Sequence, residues 1–162
     1  MEKKYPESDP LFFTKVRGAC ETAFQSGLVV ILQATGMHIS CLMSLTPSQM
    51  DEQGNIYWKR TKTDRQMRAR IPEMDRPTAR AWIGRFGNNS KTRRWANMSL
   101  KKVGIRAGFP GLSPMTFRTM RAVTLLDDGE PPHEVKHVLG CSLEVLMDNY
   151  AQLKADRRAD NA

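Results

Sequence analysis

"HEVKHVLGCSLEVLMDNYAQL", residues 133–153, opens with a literal H-E-x-x-H. On a helix that spacing sets two histidines one turn apart, where they can hold a zinc ion with the neighbouring glutamate as general base. Such a site needs a third ligand. His38 is the only other histidine, Glu144 follows too closely beyond the break that Gly140 makes, and the downstream H-x-x-G-x-x-H extension is absent. The helix presenting His133 and His137 would run from Pro131 and Pro132 to Gly140, about two turns. A match at three fixed positions is cheap in 162 residues, so a zinc hydrolase stands last among the readings, behind two surface histidines one turn apart. No metal and no cofactor are expected.

Outward from this stretch the texture is mostly helical. "SLEVLMDNYAQLKADRR" reads as a final helix, and Ser113-Pro114 opens another over "MTFRTMRAVTLLDDG". Further helices are expected in "TRRWANMSLKKVGIRAGF", in "RPTARAWIGRF", in the short "ISCLMSL" ended by Thr46-Pro47, and in the apolar "LVVILQATG". At the other end, "SDPLFFTKVRGACETAFQSG" reads as one amphipathic helix, with Ser8 or Asp9 as N-cap and Gly27 as stop. Leu11, Phe12, Val16, Cys20 and Phe24 would share its buried face. Between the helices, "NIYWKR" and "QMRARIP" flank the turn-forming "TKTD", which predicts a basic β-hairpin with Lys62 at its tip. The fold class is therefore mainly α with a small antiparallel β-sheet, an α+β arrangement in one compact domain, which 162 residues and 40% hydrophobic content can supply with a core.

Charge is unevenly placed. Residues 56–106 hold 15 Lys and Arg against only Asp64, Glu73 and Asp75, a local net of +12 within a chain of +8, so the remainder is net −4. That concentration, with Trp58, Trp82 and Trp95 interleaved, points to a phosphate backbone as partner, and Lys59, Arg60, Arg65, Arg93 and Arg94 are candidate DNA contacts. The charged start "MEKKYPESDP" lacks a signal-peptide core and no apolar run reaches a membrane span, so a cytoplasmic, DNA-associated protein is expected. Three cysteines without a C-x-x-C pair indicate neither a disulfide framework nor a cysteine zinc site.

"LGCSLEVLMDNYAQL" resembles the "LGHSS…T..Y.H" ending of tyrosine recombinases, the phage integrase family. "LSPMTFRTMRAVTLL" looks like the family's "LSPHxLRHTFAT.LL" box, "LQATGMHISCLMSLTPSQM" like its first box, and "YWKRTKTDRQMRARIP" like the hairpin that carries its lysine. The matches follow in order across roughly residues 28–153, with 32 positions from Arg118 to Tyr150 and 23 from Arg118 to Cys141. The resemblance implies a mostly helical catalytic domain that breaks and rejoins DNA without metal or nucleotide. A tyrosine hydroxyl attacks a backbone phosphorus, forms a phosphotyrosyl link and expels a sugar hydroxyl. Carried over, Tyr150 is the nucleophile, Arg118 the second-box arginine on the phosphate, and Lys62 the general acid of the hairpin.

Several positions depart from the family pattern. His38 stands where the first box has arginine, Met115 and Thr119 where the second box has its histidines, and Cys141 where the third box has His or Trp. A histidine offers one hydrogen bond in place of a permanently charged fork, methionine donates nothing, and a thiol is a weak donor. Losing one preorganised contact costs ~10²- to 10³-fold in rate, so reduced activity is expected. The alternative is a catalytically decayed relative that binds DNA as an accessory or regulatory module. The expected organisation is an N-terminal helical region over 1–27 packed on an integrase-like catalytic domain over 28–153, then a tail over 154–162. The residues ahead of the first box are too few for the DNA-clamping domain that usually precedes this one, so a fragment or a shortened relative is expected, with other recombinase subunits as candidate partners on DNA.

Overall fold

The computed structural model describes residues 9–60, 65–140 and 142–160, with the side chains of Leu153 and 156–160 left out. Among the described residues eight α-helices and one pair of strands follow in order: α1 Phe12–Gly18, α2 Ala23–Thr35, α3 Ile39–Met43, β1 Asn55–Lys59, β2 Gln66–Arg70, α4 Arg76–Phe86, α5 Arg93–Ala107, α6 Pro114–Asp127, α7 Pro132–Leu139 and α8 Leu143–Asp160. Helix α2 is the hub. Leu28, Val29, Ile31 and Leu32 are buried along it, and it packs against α1, α4, α5, α6 and β2. A helix apolar on most sides must be surrounded in this way.

The expected single helix over residues 8–27 is two helices. The chain leaves helical hydrogen bonding after Gly18 and restarts at Thr22, whose hydroxyl accepts from the Gln25 N–H as N-cap. Gly27 does not stop a helix; it lies inside α2. Its missing side chain admits Trp82 of α4, whose Cδ1 would sit 2.3 Å from a Cβ built there. Trp82 is fixed in that slot by its indole N–H, which donates to the Phe24 carbonyl at 3.0 Å.

The other helices start and stop where capping chemistry directs. Thr92 caps α5, Ser113 and Thr116 form a capping box ahead of Pro114 at the start of α6, and Gly36, Gly108 and Gly140 end α2, α5 and α7 in the left-handed conformation. The hairpin pairs antiparallel in the register Asn55↔Arg70, Tyr57↔Arg68 and Lys59↔Gln66, with Ile56, Trp58 and Ala69 turned into the core. Period-two alternation therefore leaves Arg68 and Arg70 on the outer face. Lys62 lies outside the described residues, as does Cys141. Helix α8 continues past residue 153 to Asp160. Among the described residues no helix is long and apolar enough to cross a membrane.

Candidate active site

The first-box residues sit at a tight corner between α2 and α3. Thr35 donates back to the Ile31 carbonyl at 2.7 Å and accepts from the Met37 N–H, while Gly36 takes φ +59° and passes so close to α6 that a Cβ there would lie 2.8 Å from Arg121 Cβ. This corner aims His38, the residue before α3, at α6. Arg118 Nη1 lies 2.8 Å from Nδ1 and 2.9 Å from Nε2 of its ring. A guanidinium only donates, so the ring nitrogen it engages must accept, and the pair requires a neutral imidazole.

Arg118 is half-buried, and its Nε is a buried donor with no hydrogen-bond partner. Burial pulls its guanidinium below the ordinary arginine value, the nearby charge of Arg60 pulls the same way, and Cys41 opposes them. Arg60 follows directly on β1, and its N–H donates to the Arg65 carbonyl at 2.9 Å, carrying the ladder one step past the strands. The Arg60 guanidinium lies over the end of α7, where a Cβ on Gly140 would meet Nη2 at 2.0 Å. Gly140 is thus needed for a close approach as well as for its φ of +70°.

His38, Arg60 and His137 line one narrow recess with Trp58 and Met67 beneath. His137 is half-buried, where the sequence led us to expect an open surface position. Burial, then Arg65 and Lys136, push it below the usual histidine value; Glu134 opposes and Arg60 adds to the depression. His133 is exposed, Glu134 pairs with Arg65, and among the described residues no three His, Cys, Asp or Glu side chains are grouped to hold a metal ion.

Tyr150 is not at this cluster. Its hydroxyl donates to Asp127 Oδ1 at 2.6 Å, and Lys154 lies over its ring at 4.6 Å. Asp127 ends α6 nine residues beyond Arg118, roughly two and a half turns or 13 Å further along and on the opposite side. Met115, at the start of α6, is 48% exposed and far from satisfying any polar role.

Of the proposed DNA contacts, Lys59, Arg65, Arg93 and Arg94 are exposed and Arg60 is half-buried. Arg93, Arg94, Asn97 and Lys101 line an open groove on α5. Of the interleaved tryptophans, Trp58 and Trp82 belong to the core and Trp95 is 52% exposed, under Lys91. Arg68 and Arg70 also face outward from β2 and His137 of α7 lines the recess, and motif reading marked none of the three as a candidate contact. The two arginines were available from the alternation of "QMRAR"; His137 carried no local signal beyond the zinc-like spacing.

Among solved structures the chain is similar to one described as the crystal structure of XerA recombinase, with a TM-score of 0.72 and 14% identity, over 100% of this chain. The fold is tyrosine recombinase-like. The chain spans 66% of the length of that recombinase. No family model matches the sequence, and no curated protein matches it. Within the recombinase-like fold, the first-box corner, the hairpin end, α6 and the end of α7 meet at one place, and His38, Arg60, Arg118 and His137 are the residues they bring there.

Proposed function

We propose that this chain is a DNA strand-transfer domain of tyrosine-recombinase type, with duplex DNA as partner and Tyr150 as nucleophile. The observation that carries this is the His38–Arg118 pair, held between the first-box corner and α6 beside the hairpin, with Arg118 Nε buried and unanswered. An arginine with a free donor is suited to a phosphate oxygen, because its fork matches two oxygens and keeps its charge.

In the reaction, the Tyr150 hydroxyl gives up its proton to water as its oxygen forms a bond to phosphorus, the bond from phosphorus to a sugar oxygen breaks, and that oxygen leaves with a proton from Lys62, the role the resemblance gives it. The reverse step, with a sugar hydroxyl attacking the phosphotyrosine, rejoins a strand. Arg118 and His38 steady the charge that grows on the phosphate oxygens. Tyr150 must leave Asp127 before it attacks, so DNA has to shift α8 or the end of α6. Domain boundaries of 28–153 for this unit and 1–27 for the N-terminal region go with the proposal.

A second reading rests on the same distance. With Tyr150 bound to Asp127 and with Met115 offering no donor, a DNA-binding accessory or regulatory module without catalysis accounts for the site as well. A suicide duplex, nicked so that the leaving strand diffuses away, separates the two. A covalent adduct lost in Tyr150→Phe supports the enzyme; tight duplex binding with no adduct at any time supports the accessory module.

A further inference from the structure

Three chain segments line the recess, α6 stands behind it through the contact of Arg118 with His38, and the charge they bring is unbalanced. Arg60 comes from the end of β1, Arg118 from α6, His137 from α7 and His38 from the corner before α3. Among the described residues no carboxylate pairs with Arg60 or Arg118, and Glu134 of α7 is taken by Arg65. Two like charges in partial burial raise each other's cost, so an arrangement of this kind is relieved when an anion enters. We propose that Arg60 and His137 form, with Arg118 and His38, one binding site for a tetrahedral oxyanion, and that Arg60 supplies its second guanidinium.

This rests on the reading of Arg118 as a phosphate contact and extends it to two residues that the motifs do not mark. The geometry is specific in three ways. Gly140 lacks the Cβ that would occupy the place of Arg60 Nη2, so the guanidinium has a built seat at the end of α7. Arg118 Nη1 meets His38 while its Nε is buried without a partner, so the hydrogen-bonding capacity of this guanidinium is not met within the protein. The recess itself draws His38, Arg60 and His137 together from three separate segments of the chain.

His137 serves as reporter. Burial disfavours its protonation first; facing it are also Arg60 and Arg65 from the hairpin, His38 across the recess, and Lys136 and Glu134 on its own helix, a surplus of cations that works the same way. A bound dianion reverses that surplus. Proton and anion therefore assist each other, and each must raise the affinity for the other by the same factor.

The experiment titrates the full chain with sodium sulfate at constant ionic strength, following the His137 ring and the arginine Nε–H signals by NMR. Sulfate is the probe because it stays dianionic from pH 5 to 8. Expected are saturable binding, a rise of the His137 titration midpoint on saturation, and an affinity that grows as pH falls. Arg60→Ala should weaken sulfate at least about fivefold, and Arg60→Lys, which keeps the charge without the fork, should lie between. His137→Gln should remove most of the pH dependence, with His38→Gln as the control for the other ring. The proposal is overturned if sulfate does not saturate, if Arg60→Ala binds it like the wild type, or if His137 does not respond. A drop in Tm for Arg60→Ala with unchanged affinity would make Arg60 only a cap on α7, which also overturns it. If sulfate binds as described but the suicide duplex gives no adduct, the anion site stands and the enzyme reading fails. An adduct that forms equally in Arg60→Ala removes the anion site alone.

Discussion

The Tyr150 hydroxyl donates a 2.6 Å hydrogen bond to Asp127 at the last residue of α6, while Arg118 on the same helix meets His38 nine residues earlier. One helix thus holds the nucleophile candidate and the phosphate candidate apart. A hydroxyl-to-carboxylate bond is worth more than a neutral one, and a cation over the ring adds ~0.5 to 1 kcal/mol at exposed sites. Asp127 is exposed and Tyr150 only half-buried, so the hold is modest.

Removing that hold is the first test. Asp127→Asn keeps the shape but weakens the acceptor, and should raise the rate of adduct formation on a suicide duplex by about three- to tenfold, corresponding to ~0.6 to 1.4 kcal/mol. Asp127→Asn combined with Tyr150→Phe should give no adduct. If Asp127→Asn is no faster while Tyr150→Phe is inert, release from Asp127 does not limit the reaction.

DNA binding is the second. Arg93 and Arg94 are exposed in the first turn of α5, beside Asn97 and Lys101. If they reach phosphates, Arg93→Ala with Arg94→Ala should weaken every duplex similarly and flatten the plot of log affinity against log salt by about two. Fluorescence anisotropy between roughly 50 and 200 mM salt reads both effects. An unchanged slope places the DNA elsewhere.

Legibility in the sequence followed the range of the interactions. Caps and turns act locally, so Ser113-Pro114, Gly140 and the hairpin around "TKTD" set boundaries that the helices and strands keep. Gly27 misled because a glycine's local meaning is a stop, whereas here it answers to Trp82, 55 positions away. Arg118 and His38 were visible as box positions, but their pairing was not, since 80 positions separate them and only the Gly36 corner brings them together. The Asp127 contact of Tyr150 was equally hidden: no motif marks the end of α6.

The Gly27 contact gives a third prediction, on stability alone. Gly27→Ala would drive a methyl into Trp82, whose indole cannot retreat without losing its bond to the Phe24 carbonyl. Overpacking of this kind costs about 1 to 3 kcal/mol. Gly84→Ala is the matched control: that glycine is exposed inside α4 with nothing within 4 Å of its Cβ position, so it should stabilise by about 0.5 to 1 kcal/mol. Urea unfolding checks both, and a neutral Gly27→Ala would mean that Trp82 has freedom the packing denies.

Repair of the phosphate contacts is the last. His38→Arg replaces a neutral acceptor by a second fork, so it breaks the bond to Arg118 and sets two guanidiniums face to face with Arg60 close by. Without DNA the variant should therefore be less stable than the wild type by about 1 kcal/mol, the worth of a lost hydrogen bond, with repulsion added. With DNA the sign reverses. A phosphate between the two forks satisfies both, and each restored transition-state donor is worth ~10²- to 10³-fold. Met115→His adds a donor at the exposed start of α6. Because contacts that act together do not multiply simply, the double variant should raise adduct formation by at least about tenfold. Thermal melts with and without duplex separate the two effects: the double variant should melt below the wild type alone and gain more from DNA. If it gains no more and stays inert while binding duplex normally, the site has lost more than these donors, and the accessory DNA-binding reading replaces the enzyme.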